Sequence, residues 1–413
     1  MMRLHQPMHG AAATLFEYAR TVPVIDTHEH VPRSEKDYNS TKIRFGDLFI
    51  PYVINDLHSA GMPLPPNTPP AAYNMPEDWD KFAPYWEASK HGSYARSLRL
   101  ALQRFYGVDD FTRENYRDIL RRVNENNRPG IFKTLFTDAC NIQKAIRCAL
   151  DLPGPDDPVL KANVTAPSAA TTKALFDLMT QEVGASPVKT LDELIEASDR
   201  WMELKVFQGA IEFKSCALPG DQPDRAAAEA AFARILKDGQ VLDADARPLV
   251  LYMRDVNAKK AGQLGVPVAL HTGVWFDFRA LDVKHLITFI MRHPETRMDI
   301  YHLGIPSVRD ALQVVKNFPN AYLNLCWAHI VAPDMVVQTL KEAVDMVPMN
   351  KIFAFGGDYI LFIEKVYGHL HIAKENVALA LGDRVDRNLM DIDEAKQTLH
   401  AWFYDNPKRF YGL

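Results

Sequence analysis

The chain has 413 residues, 47% of them apolar, and a formal net charge of −5 at pH 7. It can therefore bury a large core, and it offers no basic footprint for nucleic acid or an anionic membrane surface. Its longest apolar runs, such as Leu286-Ile287-Thr288-Phe289-Ile290-Met291, are far too short to span a bilayer.

No internal repeat or low-complexity tract stands out, and the first residues hold no continuous apolar stretch of the kind a signal peptide needs. Cys140, Cys148, Cys216 and Cys326 show no C-x-x-C spacing and sit mainly in apolar, strand-like contexts. They are expected to be buried free thiols in a reducing compartment, neither disulfides nor zinc ligands, so a cytoplasmic location is expected.

In chain order, residues 11–20 pattern as a helix, and Pro23 precedes a first strand at about 24–30. Residues 32–130 carry a Pro-rich loop (Pro63 to Pro70) and helical patterns at 94–102 and 115–120. That is too long for a simple strand-to-helix connection and reads as a helical insertion. Short β-prone runs follow at 145–150 and 158–164, then a helical region to about Val206. From there strands at 210–216, 266–271, 297–302, 321–327 and 352–358 alternate with helices at 226–236, 250–264, 287–291, 308–317 and 335–347. Eight strand candidates, mostly separated by helices, predict an α/β (β/α)8 TIM barrel, a single domain over 1–413 with the insertion after strand 1. An open doubly wound sheet would want a Gly-rich phosphate turn after its first strand, and His28-Glu29-His30 stands there instead.

That His-x-His is the most informative stretch. Side chains at i and i+2 of a strand share a face, so the imidazoles of His28 and His30 converge. Other polar residues fall at strand ends: Lys214 in the fourth strand, His271 closing the fifth, His302 the sixth and Asp358 the eighth. In this fold the C-terminal strand ends surround one cavity, so these distant segments are expected to meet there. A metal centre takes about three N or O ligands and leaves room for water, and a neighbouring carboxylate serves as general base. Asp26 shares the histidine face one pleat deeper and is expected to hydrogen-bond an imidazole, whereas Glu29 points away and is read as structural.

His28-Glu29-His30, His271 before Thr-Gly, His302 before Leu-Gly and Asp358 after Gly-Gly resemble the amidohydrolase superfamily signature. More narrowly, the chain resembles the amidohydrolase-related TIM-barrel metal-dependent hydrolases, which include FluG-like N-terminal domains and lie near uronate isomerases. Glu212-Phe213-Lys214-Ser215 and the closing Asn406-Pro407-Lys408-Arg409-Phe410-Tyr411-Gly412-Leu413 support the narrower match. It covers residues 22–31 and about 210–413, while 32–205 matches in layout alone.

The resemblance implies that His28, His30 and His271 are metal ligands and that Asp358 is a ligand that also acts as general base. It implies that His302 either ligates or binds substrate or water. Lys214 stays open between a carbamylated bridge of two metals and a substrate contact beside one. Zinc is the expected divalent ion, with manganese or iron accepted by the same imidazole–carboxylate set. Arg33, just past His30, and Trp275 and Arg279, in the loop after His271, are candidate contacts for a planar or acidic substrate. Trp327 resembles a uronate-isomerase feature, and His369 occupies a place where those enzymes hold a substrate-contacting histidine. His329, just beyond the seventh strand, is within reach of the same pocket.

The expected activity is hydrolysis of an amide, lactone or related bond in a small polar, acidic molecule. The alternative is sugar-acid isomerisation or decarboxylation at the same centre. Decarboxylating relatives bind metal through a Glu-x-His strand end, and His-Glu-His weighs against that version. The expected partner is a small-molecule substrate, with no nucleic acid and no membrane. Barrels of this kind often self-associate, so a homo-oligomer is compatible with the resemblance.

Overall fold

The computed structural model describes residues 4–63, 79–154, 157–216, 222–274 and 277–413. Eight parallel strands run in the order β1-β2-β3-β4-β5-β6-β7-β8. They are β1 (Val24–Glu29), β2 (Ile142–Ala149), β3 (Leu160–Thr165), β4 (Ala210–Cys216), β5 (Val268–His271), β6 (Met298–Tyr301), β7 (Ala321–Asn324) and β8 (Ile352–Phe353). Helices separate successive strands except β2 and β3, where no helix occurs among the described residues, and the whole is a (β/α)8 barrel.

The seam between β8 and β1 is closed by single backbone hydrogen bonds beyond the β8 ladder. Thr27 N–H donates to Phe355 O at 3.0 Å, Asp358 N–H to His28 O at 2.8 Å and His30 N–H to Tyr359 O at 2.9 Å. This seam makes the strand end at 352–358 shorter as a ladder than the sequence pattern suggests. Gly356 and Gly357 pack too tightly for side chains: an added Cβ would lie 2.4 Å from the Cys326 Cβ at Gly356 and 2.0 Å from Glu29 Oε1 at Gly357. β6 and β7 also stop early, because His302 (φ 67°) and Trp327 (φ 61°) adopt left-handed backbone that leaves the ladder.

Between β1 and β2 the chain forms helices at Glu35–Asn39, Val53–Ser59, Trp79–Ser89, Ser93–Tyr106, Tyr116–Asn126 and Lys133–Ala139. Phe45, Phe49, Phe82, Trp86 and Phe111 pack against one another edge-on, tilted or, for Phe82 on Trp86, stacked, as an aromatic cluster continuous with the main core. The helix Asp243–Leu264 starts a turn and more ahead of its sequence pattern, and the helix Lys365–Asp386, buried along most of its length, was not foreseen. Pro248 hid the first boundary, since a proline reads as a breaker, whereas here it sits inside the helix, five residues after its start. Among the described residues no helix is long and apolar enough to cross a membrane.

Candidate metal centre

The closing seam sets the site. Asp358 N–H is held on His28 O, so the carboxylate of the β8 end lands beside the two imidazoles of the β1 end. His28 Nε2 lies 3.3 Å and His30 Nε2 3.4 Å from the same Asp358 Oδ1. The His30 ring is oriented by Nδ1, 3.0 Å from the carbonyl of Cys148 on β2. His271 and His302 come from neighbouring strand ends, with His302 Nε2 3.0 Å from His271 Nδ1 and His302 Nδ1 3.1 Å from the Cys326 carbonyl. The His28 and His302 ring centroids are 6.1 Å apart, which joins the two pairs into one cluster. His302, Trp327 and Asp358 all have positive φ, at 67°, 61° and 61°. Each costs on the order of 1–3 kcal/mol, and such conformations persist where surrounding structure enforces them.

Burial, reinforced by the nearby Lys214 ammonium, pushes His28 and His271 down to about 3, and burial also lowers His30 and His302. The imidazoles are therefore neutral at ordinary pH. Burial alone would raise the Asp358 carboxyl, but the surrounding His28, His30 and His302 hold it well below the usual carboxylate range. Neutral imidazoles around an ionised carboxylate are the protonation states a divalent cation requires. The spacing fits as well: ligands about 2.0–2.1 Å from a tetrahedral ion sit roughly 3.3 Å apart. Cys148 Sγ joins His28 and His30 in a group whose donor atoms lie within 4.8 Å of one another. Cys140, Cys148 and Cys326 are buried and form no disulfide among the described residues, and the Cys216 side chain lies outside the described residues.

Beneath the histidines the barrel interior is polar where many such barrels are aliphatic. Tyr301 lies under His28, with ring centroids 4.7 Å apart, and the Lys214 Nζ stands 3.8 Å from the centre of the same ring. The Tyr301 hydroxyl donates to Glu212 at 2.8 Å, and Asn163 Nδ2 donates to the same carboxyl at 2.6 Å. Asp299 accepts from Asn324 at 3.1 Å and from the Tyr411 hydroxyl. Lys214 therefore pairs with neither Glu212 nor Asp358; its Nζ has no hydrogen-bond partner among the described residues.

A bulge in β1 between Asp26 and Glu29 breaks the strict alternation assumed for that strand. It brings the two carboxyls together, and burial raises both, Asp26 to about 6. Asp26 accepts from the backbone N–H groups of His28 and Gly357 rather than from an imidazole, which corrects the expected contact. Glu29 is structural as expected, accepting from Tyr359 N–H at 2.7 Å.

The outer candidates divide. Trp327 is buried, stacks on Tyr52 with centroids 4.6 Å apart, and meets His302 edge-on at 5.4 Å. His369 is buried among Phe355, Tyr359 and His329, while His329 Nε2 is engaged by the Ala354 carbonyl at 2.7 Å. Arg33 is half exposed and 3.9 Å from Asp37. Arg279, with its side chain 83% exposed, forks onto Asp277 at 2.7 Å and 2.8 Å, so the loop turns it to solvent instead of the centre. Trp275 lies outside the described residues. Tyr52 was missed: it comes from the helical segment after β1, and its hydroxyl donates to the Asp358 carbonyl at 2.6 Å. The Ile50-Pro51-Tyr52 turn carries no chemical signature that would have flagged it.

A family model described as amidohydrolase matches residues 153–413, well over half of the chain. The chain belongs to the amidohydrolase family. Its members are generally metal-dependent, and the ligand-type cluster at the strand ends makes this chain a metal-dependent, amidohydrolase-like enzyme. The protein fluG of Emericella nidulans is 25% identical over 162 residues, which is 38% of this chain and 19% of that protein. The chain thus aligns with about a fifth of that relative's length. Among solved structures, the glucuronate isomerase of Caulobacter crescentus matches with a TM-score of 0.78 at 18% identity, over 99% of this chain and 96% of that one. The uronate isomerase of Thermotoga maritima gives 0.76 at 15% identity, over 98% and 100%. At these identities the likeness is one of fold.

Proposed function

We propose that the amidohydrolase-family chain is a hydrolase that cleaves an amide, lactone or related bond of a small, acidic, polar substrate. The observation that carries the reading is one Asp358 oxygen held 3.3 Å and 3.4 Å from the Nε2 atoms of two neutral histidines at the open end of the barrel. His28, His30, His271 and Asp358 would hold the ion, with zinc the expected species. When bound, such an ion polarises a carbonyl and acidifies water.

The chain's own residues do the rest. Asp358, ionised and locked by its backbone contacts to His28 and Tyr52, takes a proton from the attacking water and hands it to the leaving group. His302 is fixed through Nδ1 by Cys326, so its Nε2 faces His271 and the substrate oxygen. Lys214 contacts substrate as an ammonium, because the negative face of the Tyr301 ring attracts a cation and would repel a carbamate. Arg33 at the mouth meets acidic substrates, and Trp327 walls the pocket. Buried cysteines outside any disulfide and a net charge of −5 fit a cytoplasmic enzyme acting on small molecules, with neither nucleic acid nor membrane as partner.

The test is metal analysis of the purified protein, followed by turnover of small acidic amides and lactones in isotopically labelled water. Stoichiometric metal and solvent oxygen in the product are expected. Protein that carries no metal sinks the reading. Turnover without incorporated oxygen sinks hydrolysis and leaves the second reading, isomerisation of a sugar acid. That reading draws on two uronate isomerase structures that superpose over nearly the whole chain, and on Trp327 against His302.

A further inference from the structure

A second group of ligand-type side chains lies where the segment ahead of the helix Gly10–Ala19 meets the helix Lys365–Asp386. His5, His371 and Glu375 each place a donor atom within 4.8 Å of the others. His371 and Glu375 are four residues apart on one helix and so share a face. His371 stands about 200° around that helix from His369, given 3.6 residues per turn. His369 is buried against Phe355 and Tyr359, so the group is separate from the strand-end histidines.

The distances suit an ion. His371 Nε2 lies 3.1 Å from His5 Nδ1 and 3.3 Å from Glu375 Oε1. Ligands of a tetrahedral zinc ion sit roughly 3.3 Å apart. Two of the ligands are also oriented from behind. His5 Nε2 is 3.0 Å from Gln103 Oε1, and Gln103 Nε2 donates to Asp109 Oδ1 at 3.0 Å, which fixes the amide with its oxygen toward His5. The neutral His5 ring therefore carries its proton on Nε2 and turns the Nδ1 lone pair toward His371. Glu375 accepts from Arg96 through Oε2 at 2.6 Å and from the Gln6 N–H through Oε1 at 3.1 Å, so Oε1 is held toward the imidazoles. Arg96 Nε donates to the Leu4 carbonyl at 2.7 Å and anchors the same segment. In the metal-free group one proton on His371 Nε2 serves two acceptors, His5 Nδ1 and Glu375 Oε1. Once that proton moves to Nδ1 of its own ring, three lone pairs converge on one point.

We propose that His5, His371 and Glu375 bind a divalent transition ion of the zinc class, with water completing the shell, and that the ion staples the segment 4–9 to the helix Lys365–Asp386. Two imidazoles favour zinc, nickel or copper over magnesium and calcium, which prefer oxygen donors. The site requires nothing of the centre at His28 and His30. His5 is exposed, so this ion exchanges with solvent and is lost on dialysis, unlike one held by the larger ligand set at the strand ends.

The test is equilibrium dialysis of wild type, His5→Ala, His371→Gln, Gln103→Leu and His30→Ala against zinc, with bound zinc counted by elemental analysis. Wild type should hold one zinc ion more per chain than His5→Ala or His371→Gln, and His30→Ala should keep that ion. Gln103→Leu should weaken it by about 10- to 100-fold, since the group that orients His5 is gone. Carbethoxylation read by peptide mass spectrometry gives a second measure: zinc should protect His5 and His371 and leave the exposed His9 unchanged. The protection of His5 should vanish in His371→Gln. His5→Ala changes an exposed side chain, so its result stands even if His371→Gln folds poorly. Equal zinc in wild type and His5→Ala, or carbethoxylation of His5 that ignores zinc, overturns the inference. So does a His30→Ala protein that takes up no zinc. Zinc uptake that is lost in His371→Gln and untouched in His30→Ala leaves this site standing and removes the metal-dependent reading of the barrel mouth.

Discussion

Replacing Asp299 by Asn should stabilise the protein progressively, relative to wild type, as pH rises from 5 to 8. Burial lifts Asp299 from 3.8 to about 7, against the hydrogen bonds of Tyr411 and Asn324. Glu212 beside it is raised further, so Glu212 keeps the shared proton and Asp299 is the group that ionises in this window. The folded state binds more protons than the unfolded chain between pH 3.8 and about 7. Stability from this site is therefore greatest at acid pH and falls as pH rises to 7, beyond which the full cost is present. About two pH units of that window lie above pH 5, which at about 1.4 kcal/mol each amounts to roughly 3 kcal/mol. Asn cannot ionise, yet it keeps an acceptor for Asn324 and Tyr411 and offers an N–H to Glu212. With an unfolding entropy of about 2.1 cal/mol/K per residue, a chain of 413 residues has roughly 0.9 kcal/mol/K, so the gain is ~3 °C in Tm. The buried imidazoles act in the opposite sense, because groups held near 3 or 4 lose stability as pH falls below about 6.5. They are common to both proteins and cancel in the difference. The assay is calorimetric melting of both proteins at pH 5, 6, 7 and 8 with equal metal content. A Tm difference that stays flat within about 1 °C, or that moves in favour of wild type as pH rises, refutes a shared-proton carboxyl pair in the barrel.

His30→Ala removes an Nε2 that lies 3.4 Å from Asp358, and metal retention after dialysis should fall by at least about 100-fold, read by elemental analysis. Tyr301→Phe leaves Glu212 with Asn163 as its donor and should cost about 1–3 kcal/mol in urea denaturation, while metal content stays at the wild-type level. Gly356→Ala drives a methyl to 2.4 Å from the Cys326 Cβ and 2.8 Å from Thr27 Oγ1, so the seam beneath Asp358 must open. It should lower stability by about 1–3 kcal/mol or more and weaken metal binding together, whereas Gly184→Ala, with open space around it, should leave metal binding intact.

The barrel was legible because its parallel strands are bounded by glycine, proline and polar residues, and the ends of β4 and β5 and the helix Val308–Asn317 fall where the pattern puts them. His28, His30, His271, His302 and Asp358 were legible for a related reason: each ends or directly follows an apolar run, and a closed parallel sheet gathers such ends at one mouth. Period-two reasoning failed at the bulge in β1, where Asp26 and Glu29 meet despite opposite parity. It also failed past Tyr301, Asn324 and Phe353, where left-handed residues or single seam bonds replace the ladder. Contacts made by long excursions were invisible. Tyr52 reaches Asp358 across more than three hundred positions, and nothing local to either residue encodes that meeting.

The same departures from ideal strand geometry are what make a cation site here. Had β8 continued as a regular ladder to Asp358, that residue would project from a pleat at a face set by parity, with its backbone satisfied by β1 alone. Instead two side-chain-free positions let the chain approach Cys326 and Glu29, Asp358 turns left-handed, and its carbonyl is taken by Tyr52. Its carboxylate is thereby aimed back across the seam at His28 and His30. The strain of that turn is held by contacts outside the site: Tyr52 stacks on Trp327, which in turn bears on His302. The helical segment after β1 is thus tied to both halves of the cluster. Tyr52→Ala should consequently loosen the Asp358 carboxylate and lower metal affinity although it deletes no ligand, and Tyr52→Phe, which keeps the stack and loses the hydrogen bond, should fall between. Equal metal affinity in wild type and Tyr52→Ala, measured by competition with a chelating dye, would show that the seam positions Asp358 without help from the inserted helices.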